Sequence, residues 1–177
     1  MHGKEDTKAA VWFSEELTPE VAPWAYSRGL PYKTISALEL FATLMCMRLF
    51  RPLAGPLGSK VRLLMKGDTD NRGNSFVIKR LMTTRFPLSL ILMEAAAMLH
   101  LRGDDIELDW LPRDLNQEAD DLTNGRFDAF TPERRIRVDW RSQEWLVLND
   151  MARSAEELFT ISGTPGLRPS GRGWKSQ

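Results

Sequence analysis

Val61-Arg62-Leu63-Leu64-Met65-Lys66-Gly67-Asp68-Thr69-Asp70-Asn71 runs from apolar residues into a glycine and two carboxylates. Val61–Lys66 is the right length and composition for a buried strand, and Gly67 to Asn71 carries the turn-forming residues that follow one. Upstream, Ile35–Phe50 is apolar on nearly every face and too long for one strand, so it predicts a buried helix. Downstream, a helix is predicted over Ser75–Thr83. Another starts at Pro87 and runs through Leu88, Leu92, Ala95, Ala96 and Leu99 to a stop at Gly103. Asp105–Leu111 alternates, with Ile106, Leu108 and Trp110 against Glu107 and Asp109, and Pro112 ends it as a strand. Two strands separated by helices imply parallel pairing and an α/β mixed sheet with helices on its faces.

The flanks complete this frame. Lys8–Leu17 reads as a short strand, Thr18-Pro19-Glu20 breaks it, and Ala25-Tyr26 opens a second extended piece, together an N-terminal hairpin. Asn116 is placed to cap a short helix through Leu122, which ends near Asn124-Gly125. After Phe130 come a strand candidate, Arg135–Trp140, and a helix around Trp145 to Phe159. Trp140 and Trp145 are expected to pack on the domain. The division expected is one domain over 1–130, a strand-helix extension over 131–162, and a disordered tail over 163–177 that is basic and holds no acid.

Composition limits the classes open to the chain. With 24 Lys+Arg against 24 Asp+Glu in 177 residues, the formal net charge is zero, which argues against a polybasic, histone-like protein. Nucleic-acid binding stays open, because it depends on how charge is distributed. One cysteine, Cys46, rules out an internal disulfide, and its apolar surroundings predict a buried, inert thiol. Together with only His2 and His100 it is too little for structural zinc. Met1 to Asp6 is polar with no apolar stretch behind it, and neither Ile35–Phe50 nor Phe86–Leu99 reaches bilayer length. The expectation is a soluble, intracellular protein.

Three acids stand out. Asp70 ends an apolar strand, where α/β sheets place ligands, although Asp-Asn-x-Gly is also ordinary turn chemistry. Glu39 is the only acid in Ile35–Phe50. It completes a Ser36-x-x-Glu39 capping box, or else faces a metal or another carboxylate. Asp120 and Asp121 suit a first helical turn. An EF-hand reading of Asp68-x-Asp70-x-Arg72-Gly73 fails, because Arg72 and Lys79 stand where calcium ligands are required.

Taken together, Ala37-Leu38-Glu39-Leu40, the stretch from Val61 through Asp68-Thr69-Asp70-Asn71, and Leu108 through Asn116-Gln117-Glu118-Ala119-Asp120 resemble one family. It is the ribonuclease H-like superfamily, and within it the ribonuclease H domain that follows reverse transcriptase in retroelements. The resemblance covers roughly Lys8 to Asn124. It implies a two-metal phosphodiesterase acting on the RNA strand of RNA–DNA hybrids, with Mg²⁺ (or Mn²⁺) held by Glu39, Asp70 and Asp120. It also implies a reverse transcriptase module as companion. Lys60, Arg62, Lys66, Lys79, Arg80 and Arg85 are candidate phosphate contacts, set against a plain solvated face.

The chain departs from this pattern at its start. The family's first, central strand, with its leading aspartate, precedes the hairpin, whereas this sequence opens almost directly into Ala9-Ala10-Val11-Trp12-Phe13, with Glu5 and Asp6 before it. A missing central strand leaves unpaired edges. The chain is then an internal start in a longer reading frame, a decayed retroelement fragment, or a fold in which the hairpin pairs directly with Val61–Lys66. The functional expectation is RNA-strand hydrolysis in the parent protein. The alternative is a non-catalytic module of the same fold that binds nucleic acid or packs on a polymerase. A third reading is a generic α/β scaffold whose acids are caps and turn residues.

Overall fold

The computed structural model describes residues 8–26, 30–51 and 62–150. Its regular elements are α1 (Ile35–Leu49), β1 (Leu64–Thr69), α2 (Arg72–Arg80), α3 (Leu88–Arg102), β2 (Asp105–Trp110) and α4 (Gln117–Thr123), joined by short 3-10 turns. The strands pair in parallel, Leu64 opposite Asp105 and Thr69 opposite Trp110. The architecture is therefore mixed α/β, with a two-stranded parallel sheet among the described residues.

α1 and α3 are apolar around most of their circumference and pack on each other, burying Leu40, Leu44, Met45, Ile91 and Met98. The sheet lays one face on this pair: Leu108 is buried, and Met65 and Ile106 pack beside it. Gly67 pairs opposite Leu108, and a Cβ there would make only an ordinary contact, 3.5 Å from Leu108 Cδ1. The opposite face, with Leu64, Lys66 and Asp68 beside Asp105, Glu107 and Asp109, is exposed. Helices thus cover one face where both were expected to be covered. The residues at those alternate positions are mainly charged, and Lys66–Glu107 at 3.0 Å and Arg62–Asp105 at 2.6 Å pair across the exposed face and its end.

The N-terminal hairpin does not form. Residues 23–26 make a 3-10 turn, Pro23–Tyr26, that buries Trp24 and Ala25 against the helices. The preceding stretch makes only an isolated bridge, Trp12 with Arg135, so it pairs neither with a hairpin arm nor with β1. Pro23, whose ring fixes φ near the helical value, opens this turn just where the second arm was expected to begin. Arg135–Trp140 is likewise no strand beyond that bridge. It ends in a 3-10 turn, Trp140–Ser142, where Asp139 accepts a hydrogen bond from the Arg141 N–H at 3.0 Å. Trp140 and Trp145 do pack on the domain, 6.0 and 5.6 Å from the Phe41 ring. The backbone turns helical at 148–150, and the remainder of the expected helix and the tail lie outside the described residues. Cys46 is exposed on the outward side of α1, between the buried Met45 and Met47.

Candidate functional site

The C-terminal end of β1 and the start of α2 meet at Asn71. Asn71 caps α2, its side-chain oxygen accepting from the Asn74 N–H at 3.1 Å. Its amide donates to the Glu39 carboxylate and to Ser36 Oγ. Glu39 is therefore drawn across to the strand end and does not close a capping box on Ser36: α1 begins after Thr34, with no side-chain cap. Burial pushes the Glu39 carboxyl above its ordinary range. The Asn71 hydrogen bond opposes that shift, the negative charge of Asp70 adds to it, and the Arg113 cation offsets it.

Asp120 reaches the same neighbourhood through Arg113, which follows β2 directly. The Arg113 guanidinium lies 2.9 Å from Asp120 and is held further into its charged form by that carboxylate, and less strongly by Asp70 and Glu39. Arg126 completes the arrangement at 3.4 Å from Asp120 and 2.7 Å from Asp121. Asn116 precedes α4 without capping it by its side chain. So the three acids singled out in the sequence share one electrostatic neighbourhood, with an arginine cation among them.

That arrangement does not fit a divalent-metal pair. Such a pair needs three or more carboxylates converging with free oxygens. Among the described residues no group of three or more His, Cys, Asp or Glu side chains is placed to hold a metal ion. The Asp120 carboxylate is bonded to arginines and that of Glu39 to an amide.

Beside this acid end lies a cavity of about 370 Å³, bounded by the turn before α1, the first turn of α2 and the segment leading into α3. Lys33 and Arg85 stand among its lining residues, and Gly73 brings the α2 backbone to it. Asn74, 1% exposed, also lines it. Its amide donates to the Ser36 carbonyl at 2.9 Å, while its Oδ1 is buried without a hydrogen-bond partner. A buried acceptor left open costs free energy unless a ligand or water donates to it.

The candidate phosphate contacts separate by pairing. Arg62 and Lys66 are held by Asp105 and Glu107, and Lys60 lies outside the described residues. Lys79, Arg80 and Arg85, joined by Lys33 and Arg72, make no ion pair among the described residues. Lys33 and Arg72 escaped the sequence reading because their relevance comes from position around α2. The Asn71-x-x-Asn74 cap was the available signal for a helix starting at Arg72 rather than Ser75.

No family model, curated protein or solved structure matches the chain. Among the described residues no helix is long and apolar enough to cross a membrane.

Proposed function

We propose that the chain is a nucleic-acid-binding module of ribonuclease H-like type, related to the domain that accompanies reverse transcriptase in retroelements, and that it binds RNA–DNA hybrid without cutting it. The observation that carries this reading is a set of cations that make no ion pair among the described residues: Lys33 and Arg85 lining the cavity, Arg72 in the first turn of α2, and Lys79 and Arg80 in its last turn. Other cations of this near-neutral chain are matched to acids, as Arg51, Arg62, Lys66, Arg113 and Arg126 are, although Arg137 and Arg141 make no ion pair among the described residues. A local excess of cations beside a helix N-terminus favours phosphates. Retention of Glu39, Asp70 and Asp120 in one neighbourhood supports the resemblance, while Arg113 among them favours binding over hydrolysis.

The test is a gel-shift titration of an end-labelled RNA–DNA hybrid against the wild-type chain and the double variant Lys33→Glu, Arg85→Glu, with Mg²⁺ present so that cleavage is read from the same lanes. Retarded, intact hybrid is expected, with at least about tenfold weaker binding by the variant. Equal binding by both proteins removes the cavity from the interface. Cutting by the wild type overturns the non-catalytic reading.

A further inference from the structure

Two large aromatic rings stand half in solvent at the edge of this site: Trp110 is 45% exposed and Phe76 is 51% exposed. Each lies under a guanidinium, Arg72 at 5.6 Å from the Trp110 ring and Arg80 at 5.8 Å from that of Phe76. Arg72, Phe76 and Arg80 are four residues apart and form one stripe along α2, which spans about 12 Å at the helical rise. Trp110 continues the stripe from the end of β2. Its ring is held in place by a hydrogen bond from Nε1 to the Asp70 carbonyl at 3.1 Å. The order along the surface is therefore ring, cation, ring, cation, and neither cation makes an ion pair among the described residues.

Flat faces alternating with unpaired guanidinium groups are what stacked bases joined by phosphates require. Resting on the nucleic-acid reading above, we infer that this stripe is a stacking platform for unpaired nucleotides, so that the chain prefers a hybrid carrying a single-stranded overhang to a blunt one. An acidic peptide would match the charge but would not use two exposed rings of this geometry. The length of the stripe suits two to three bases at the spacing of a stacked strand (about 3.4 Å and upward).

The experiment is fluorescence anisotropy with one labelled hybrid prepared blunt and with a short single-stranded extension, against wild type, Phe76→Ala, and Arg72→Gln with Arg80→Gln, the fold of each variant being checked by circular dichroism. Wild type is expected to bind the extended hybrid about tenfold or more tightly than the blunt one. Phe76→Ala is expected to lose most of that preference while keeping its affinity for blunt hybrid. Equal affinity of wild type for both ligands, or a preference unchanged in Phe76→Ala, overturns the platform and leaves the nucleic-acid reading intact. No binding to either ligand overturns both.

Discussion

Glu94 lies at the centre of the apolar helix α3, with no exposed surface. Its carboxylate accepts the backbone N–H groups of Leu146, Val147 and Leu148 at 3.0, 2.8 and 2.9 Å, and Arg48 stands 3.8 Å away. It therefore supplies the cap for the chain that turns helical at 148 and pins that segment on α1 and α3. An amide in its place offers one acceptor and turns donors toward donors. Glu94→Gln is expected to cost about 2–4 kcal/mol in urea denaturation. Asp104 works similarly at the far end of the sheet. Its carboxylate receives Arg51 at 2.5 Å and the Leu63 N–H at 3.1 Å, and the Arg51 bond holds its pKa below the ordinary carboxylate value. A depressed folded-state pKa means that its contribution is complete above the unfolded value of about 3.9 and lost as pH falls through the folded one. Urea midpoints measured from pH 6 down to pH 2 (roughly the span over which carboxylates titrate) should fall less steeply in Asp104→Asn than in wild type. Glu39 has the opposite sign: its raised pKa means that ionisation near neutrality opposes folding. Glu39→Gln keeps an acceptor for Asn71 and should leave the chain at least as stable at pH 7, read by the same denaturation; marked destabilisation would contradict this placement.

At the scale of elements, α1, α3 and both strands were legible because burial itself writes their pattern. Long apolar runs predict α1 and α3, and Ile106-Glu107-Leu108-Asp109 alternates as a strand with one face on the core. β1 is displaced from Val61–Lys66 to Leu64–Thr69, since Gly67 and Asp68 read as turn residues but pair in register with Leu108 and Asp109. The hairpin failed for a different reason. Trp12 and Phe13 look like strand residues, but their partners lie far along the chain: Trp12 donates from its backbone N–H to the Arg134 carbonyl at 3.2 Å and from its ring to that of Thr131 at 2.9 Å. Local pattern carries no record of such long-range pairing. α2 ends on Leu81 in the left-handed region at φ 48°, with half its side chain in solvent. A branched residue there gives up conformational energy that glycine would not. Leu81→Gly should therefore raise stability by about 1 kcal/mol in thermal or chemical denaturation.

For the molecule as a whole, the three acids were legible as individual candidates because the chain places them in turn on α1, just past β1 and on α4. The role of Arg113 was not, because Arg113-Asp114 between Pro112 and Leu115 looks like any polar loop until the loop closes on Asp120. With Arg113 in place the acid end already has its counter-charge, so Mg²⁺ should not move the melting temperature of the wild type. Arg113→Ala should melt lower and recover part of the loss when Mg²⁺ is added. The charge balance of the chain is likewise uneven in space: its zero total hides five cations around α2 that make no ion pair among the described residues. That unevenness is the physical content of the nucleic-acid reading, and it has a direct observable. Affinity for an RNA–DNA hybrid, measured across a range of salt concentrations, should fall linearly on a double-logarithmic plot. Taking the duplex-DNA coefficient, the slope should be about −4 to −5 if all five cations meet phosphates. A slope of that size is the result predicted here, and an affinity that ignores salt, or no binding at low salt, would contradict it.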